Sequence, residues 1–331
     1  MNMKRILGKL LGGALLFGLT MSLTSCEDVL GHWEKPTPNP ITPGGGTPVT
    51  PEEIIYAFSL RNMADDADVT AELFKLTDQN GTEIAYATSD GKYTIKADDL
   101  SSVTTLWLEV TSNEDKKYIA KATVEELPAI AEAGKLKMAT LGDVILSDGK
   151  FGVAGTAGQL AKIAYLGDGD TSDDTYNHGL ALALEDVSGT MKWCSQTSVT
   201  CLGAGHQYDS EAGAKGDLAG IDNTDYLIDH APDGHTHAAA SAARNNSGTN
   251  PTGTSAWFLP SAGQWDMMIT AAGDYATLKT KADLQEDTHY WSSTELDATY
   301  TTYAWGFDSD DGVWDGYGKT EDFRVRACLA F

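Results

Sequence analysis

Positive charge is what this chain has least of. Among 331 residues there are 23 Lys or Arg against 48 Asp or Glu, a formal net charge of −25 at neutral pH. A surface of that sign repels nucleic acid and anionic lipid headgroups, so neither is expected as a direct partner. Cysteine is scarce as well. Cys26, Cys194, Cys201 and Cys328 are all there is, and no C-x-x-C pair suggests a redox or zinc role. A Gly-x-Ser-x-Gly elbow, a P-loop and a dinucleotide fingerprint are all missing, which removes the usual sequence grounds for hydrolase, nucleotide or oxidoreductase chemistry. Carboxylates are plentiful, but no spacing singles out a pair for glycoside hydrolysis. No catalytic residue, metal or cofactor is expected.

The apolar run from Leu10 to Leu23 is Gly-broken and too short for a stable membrane span. Lys4, Arg5 and Lys9 precede it and Ser22-Leu-Thr-Ser-Cys26 follows, which marks residues 1–25 as a signal peptide. Leu23-Thr24-Ser25-Cys26 resembles a bacterial lipobox, which implies cleavage before Cys26 and lipidation of its thiol. Glu27 and Asp28 resemble the export tag of Bacteroidetes-type surface lipoproteins. The expected location is the outer membrane, surface-exposed, with the membrane touched only through the lipid. Residues 26–51, rich in Pro and carrying Gly44-Gly45-Gly46, read as an extended tether that cannot build a core.

Residues 52–128 read as a small all-β, immunoglobulin-like sandwich acting as a stalk. Short β-prone runs start near Ile54, Val69, Thr82, Lys92, Thr104 and Tyr118, with hairpin signals at Asn80-Gly81 and Asp90-Gly91. Residues 129–137 are expected to be a link, helical at 129–133. A second domain, 138–331, has buried strands expected at 158–166 and 178–185 and a helix near 212–228 or 238–244. Ser261 and Gln264 have capping-box spacing ahead of a helix, and a further helix is expected over 275–284. Strands are expected at 290–293, 303–307, 313–317 and 323–331.

Three polar clusters invite a metal reading. Asp168 to Asp174 places four carboxylates in one loop, but without an EF-hand's turn Gly and distal Glu, so a solvated loop is expected. Asp308 to Asp311 reads as a contact loop. His235-Thr-His237 beside Asp229-His230 has no third ligand placed by a helix or strand pattern, so it too reads as surface loop. Outside the cytoplasm Cys194 and Cys201 can close a short disulfide, and Cys328 reads as quietly buried.

From Tyr300 to Phe323 the chain interleaves aromatics with Asp, Gly, Ser and Thr, the composition of a recognition surface, between ends that read as scaffold. Taken with Gly142 to Gly149, His178 to Leu184 and Trp257 to Trp265, the motifs Tyr290-Trp-Ser-Ser-Thr-Glu295 and Arg324-Val-Arg326 resemble the Fibrobacter-type major paralogous domain. That family implies an α+β, C-type lectin-like head, distantly similar to formylglycine-generating enzymes. The latter's cysteine motif has no counterpart here, and neither do the Glu-Pro-Asn and Trp-Asn-Asp motifs of calcium-dependent lectins. A narrower resemblance, to variable proteins of diversity-generating retroelements, implies a diversified face between the Trp-Ser-Ser start and the Arg-Val-Arg end. The ligand-binding residues expected there are Asp297, Tyr300, Thr302, Tyr303, Asp308, Ser309, Asp310, Asp311, Asp315, Tyr317, Asp322 and Phe323. Tyr300, Tyr303 and Tyr317 are the candidate anchors, while Trp305, Gly312, Trp314 and Lys319 belong to the frame. Trp257, Leu259, Trp265, Trp291 and Arg326 are expected to hold the scaffold. The implied function is non-catalytic binding of a protein or glycan at the cell surface. The alternatives are a structural or fimbria-associated subunit and, third, an enzyme of formylglycine-generating-like fold.

Overall fold

Alternating apolar side chains give each early run one face for a core, and the strands form where that alternation falls. They are β1 (Ile55–Asn62), β2 (Ala71–Asp78), β3 (Ala87–Ser89), β4 (Lys92–Lys96), β5 (Thr105–Ser112) and β6 (Lys117–Thr123). The structure, a computed structural model, describes residues 53–331 except 171, 173, 174, 198, 204, 205, 232, 233, 247, 248, 298 and 300. The signal peptide, Cys26 and the tether lie outside the described residues. The described residues form one compact unit.

Asp90 and Gly91 both adopt positive φ (51° and 72°), as a tight two-residue hairpin requires, and they join β3 to β4. One sheet has the order β2-β5-β6. The segment expected to be a link belongs instead to the other sheet. Helix α1 (Leu127–Ala133) stops at left-handed Gly134, and β7 (Lys135–Met138) then pairs parallel with β1, giving the order β3-β4-β1-β7. Leu136 and Met138 point inward and fill the sandwich beside Phe58, Leu60, Ile95 and Leu108. The sandwich therefore closes at 138, not at 128.

The rest of the chain is α+β. Strands β8 (Val144–Leu146), β9 (Phe151–Gly152), β10 (Gln159–Leu166), β11 (Gly179–Ala183), β12 (Met191–Lys192) and β13 (Gln207–Tyr208) precede the helices. These are α2 (Glu211–Ala214), α3 (Gly220–Asp229), α4 (Ala238–Arg244), α5 (Ala262–Ala272) and α6 (Tyr275–Ala282). Then come β14 (His289–Leu296), β15 (Tyr303–Asp308), β16 (Trp314–Gly318), β17 (Asp322–Phe323) and β18 (Cys328–Ala330). One sheet runs β18-β11-β10-β8-β9, a second runs β13-β14-β15-β16, and β12 pairs with β17.

Two expected elements come apart for physical reasons. The helix near 212–228 breaks between α2 and α3 because Asp217 turns inward. Its carboxylate accepts from the Ala219 N–H (3.1 Å), from Asn223 (2.9 Å) and from Thr294 (2.7 Å). The run 323–331 is two strands, not one. Between them Arg326 turns its guanidinium onto the carbonyls of Ala183, Leu184, Ala282 and Asp283 and onto Asp186. The capping box forms as expected: Ser261 Oγ accepts from Gln264 N (3.3 Å), and Gln264 Oε1 accepts from Ser261 N (3.0 Å). Trp257, Leu259, Trp265, Trp291 and Arg326 are all buried, in keeping with a scaffold role.

The sandwich is not a detached spacer. Ile119 and Ala139 exchange both backbone hydrogen bonds (2.8 and 2.7 Å), and Trp107 and Ile119 share one hydrophobic cluster with Ile145, Ile163 and Trp291. The Trp107 ring stacks on His178 at 4.0 Å, and His178 Nδ1 lies 2.6 Å from Glu109.

Candidate binding face and a buried cysteine–histidine cluster

Register decides which side chains of the aromatic run share a face. In the β15–β16 ladder Ala304 pairs with Tyr317, Gly306 with Asp315 and Phe307 with Trp314. Trp305, Phe307 and Trp314 consequently point to one side, into a cluster with Trp265 and Tyr290. Asp315 and Tyr317 point to the other, the side that β14 supplies with His289 and Trp291. There the Tyr317 ring meets His289 at 4.7 Å and Phe323 at 5.0 Å, and Phe323 stacks on both His289 and Trp291. Burial, then the charges of Asp315, Asp308, Asp311 and Glu321, push the Tyr317 hydroxyl up to about 12. The phenol is thus held in its neutral form, able to donate a hydrogen bond.

The expected contact residues divide on these grounds. Asp310, Asp311, Asp315 and Asp322 are exposed, and Asp297, Thr302, Asp308 and Tyr317 are half-buried. Tyr303 is 40% exposed, but its partner Gly318 puts it on the opposite face of the ladder from Tyr317, so the two tyrosines do not form one anchor pair. Tyr300 lies outside the described residues. Two expectations are corrected. Ser309 is wholly buried, accepting from Thr288 N (3.0 Å) and donating its own N–H to Thr288 O (2.9 Å), so it closes the β15–β16 turn from inside. Phe323 is only 8% exposed and forms the floor beneath Tyr317. The frame residues behave as expected: Trp305, Trp314 and Lys319 are buried, and a Cβ on Gly312 (φ 77°) would fall 2.5 Å from the Tyr275 ring.

The loop expected to be a solvated acidic segment is partly interior. Asp170 is buried and accepts from Ile221 N (3.0 Å), Gln264 Nε2 (2.7 Å) and Ser172, and burial raises its pKa against those bonds. Asp173 and Asp174 lie outside the described residues.

A second arrangement escaped the sequence reading. Cys194, Cys201 and His237 are each buried, and one donor atom from each lies within 4.8 Å of the others. The surface-loop reading of His237 is therefore corrected: the residue before α4 is 2% exposed and makes an edge-on contact with Trp193 at 5.6 Å. Hydrogen bonding from Cys201 lowers the Cys194 thiol against its burial, aided by the Gln196 backbone N–H and by His237 and His235. The same bond, with burial, raises the Cys201 thiol. Burial lowers His237. Beside them Lys319 and Glu295, both fully buried, form an ion pair. The ammonium also donates to Val199 O and Thr301 O (2.7 Å each), and the carboxylate accepts from Cys201 N, Leu202 N and Gln207 Nε2. The third cysteine, Cys328, is wholly buried in β18, and burial raises its pKa. Scarce cysteines and an H-x-H triplet were visible in the sequence, but nothing in their spacing joined them.

An open cleft of about 520 Å³ lies over the sandwich, lined by Lys75, Glu83, Glu109 and His178 among others. Its Glu109 and His178 are already committed to each other. Compared with known proteins, the chain matches no family model and no curated sequence.

Proposed function

We propose that this chain is a surface lipoprotein, anchored through Cys26, whose carboxyl-terminal domain binds a macromolecular ligand without transforming it. In this reading the domain has a C-type lectin-like fold, the sandwich is an immunoglobulin-like stalk, and the β14–β16 face is diversified. One observation carries it: the half-buried Tyr317 ring packs on His289 and Phe323, on the ladder face that also presents exposed Asp315, and its hydroxyl feels the charges of Asp315, Asp308, Asp311 and Glu321. A neutral hydroxyl and an aromatic ring among carboxylates suit a cationic or hydroxyl-rich group, through charge-assisted hydrogen bonds and cation–π contact. A single central aromatic can carry about 2 kcal/mol, roughly thirtyfold in Kd. The structural-subunit alternative gains less support, because the terminal strand β18 already has partners in its own chain, β11 on one edge and Phe258 on the other.

The test is a panel of immobilised lysine- and arginine-rich peptides and neutral glycans, probed with the full chain and with a variant carrying Asp311→Asn, Asp315→Asn and Tyr317→Ala. Wild type should bind at least one class, more weakly as salt rises for the basic peptides, and the variant should lose at least about thirtyfold. Equal behaviour of the two proteins, both folded, would sink the proposal.

A further inference from the structure

The cluster beneath the β14 end asks for a ligand of its own. His237 is 2% exposed, and among the described residues neither ring nitrogen has a hydrogen-bond partner. A buried polar group left that way costs about 1–3 kcal/mol, which a fold does not carry without a use for it. His235 repeats the pattern: its Nδ1 is buried without a partner, while its ring lies against Cys194. Two thiols and two imidazoles therefore converge from the loops on either side of α2 and α3.

We infer that Cys194, Cys201, His237 and His235 bind one zinc ion in a closed, structural site. The donor set selects the metal class. Thiolate and imidazole suit a borderline-soft transition ion, and an S2N2 tetrahedron is the zinc arrangement. Metal–ligand bonds of about 2.0–2.3 Å give tetrahedral edges of roughly 3.3–3.8 Å. The donors of Cys194, Cys201 and His237, already within 4.8 Å of one another, reach that with side-chain shifts of about 1 Å, and His235, outside that group but beside Cys194, would swing in as the fourth ligand. Charge agrees: two thiolates neutralise a divalent ion, and the adjoining Lys319–Glu295 pair is balanced within itself. A monovalent copper ion would leave a buried negative charge. The outer groups are those a metal site uses. The Gln196 N–H acts on the Cys194 sulfur, and Lys319 Nζ lies 3.9 Å from the Cys201 sulfur.

A Cys194–Cys201 disulfide is the rival occupant. It would use both sulfurs and leave both His237 nitrogens unpaired, whereas the metal satisfies all four residues. With His235 as fourth ligand no position is left for a substrate, so the ion's work is to tie the loops carrying Cys194, Cys201 and His237 together.

The test uses the full chain, purified with reductant and without chelator. Metal analysis and native mass spectrometry should find one zinc per chain. Replacement by cobalt should give thiolate-to-metal charge-transfer absorption, which only sulfur ligation produces. Cys194→Ser and His237→Ala should each weaken zinc at least about a hundredfold. In case either fails to fold, Cys328→Ser, outside the cluster, serves as the control that keeps its zinc. In the wild-type chain, zinc should slow the reaction of Cys194 and Cys201 with a thiol reagent, and chelation should restore it. Thiols that react equally fast with and without zinc overturn the inference. So does a Cys194–Cys201 disulfide that persists when reductant and zinc are both supplied, or uptake of copper with no uptake of zinc.

Discussion

At the scale of single residues, the sharpest commitment is the buried ion pair of Lys319 and Glu295. Neither side chain is exposed, and each also serves backbone groups of the loop that carries Cys201. Removing one member strands the other charge in a dry interior, which costs about 3–5 kcal/mol, while removing both together costs much less than the sum. Lys319→Met should therefore lower the unfolding free energy by about that amount in urea titration. Glu295→Gln should cost about as much, since one amide oxygen can still accept from Cys201 and Leu202 but the Lys319 ammonium loses its counter-charge. The double variant should sit well above the sum of the singles, and simple additivity would show that the pair is not coupled. In sequence, Lys319 read correctly as frame, but its partner was hidden. Nothing local ties residue 319 to residue 295, because the link runs across the sheet through the loop at 199–202.

At the scale of elements, what is local was legible and what depends on register was not. The Ser261–Gln264 box, the Asp90-Gly91 hairpin and the alternation of β5 and β6 each form within a few residues, so composition alone reveals them. Tyr303 and Tyr317 looked equivalent because both are tyrosines in a polar aromatic run. The ladder that pairs Tyr303 with Gly318 puts them on opposite faces, and a one-residue slip would have reversed that. The cysteine–histidine cluster was illegible for a related reason: its members sit in loops, which have no period to read. The start of α5 yields a prediction at this scale. Ser261 Oγ accepts from Gln264 N and donates to Asp217 O (2.5 Å), which couples the cap to the break before α3. Ser261→Ala should cost about 1–2 kcal/mol, read as a lower midpoint in thermal unfolding with binding by the Tyr317 face unchanged. A loss below a few tenths would mean that Gln264 holds the helix start alone.

At the scale of the whole molecule, the question is whether the sandwich and the carboxyl-terminal domain melt together. Trp107, Ile119, Ala139 and Ile145 lie in one hydrophobic cluster, and Glu109 reaches across to His178, so separating the halves exposes a shared interior. The chain from residue 52 onward should therefore show one calorimetric transition at neutral pH, with calorimetric and van't Hoff enthalpies equal. Two resolved transitions would restore the independent stalk. Acid should reveal the hinge of this coupling. Burial opposes the Glu109 charge, but hydrogen bonding and charge from His178, with Lys75 and Lys117, outweigh it and hold the carboxyl below its ordinary 4.5. Because the native value is the lower one, the unfolded chain takes up its proton first. The stabilisation is complete above about pH 4.5 and is lost as pH falls through the depressed value. The side chain is 32% exposed, so solvent screens the pair and the stake is about 1 kcal/mol. Glu109→Gln should cost that much at pH 7 and nothing well below the native value, so the two melting curves should converge in acid. Curves that stay parallel down to that range would show that the charge on Glu109 does not hold the two halves together.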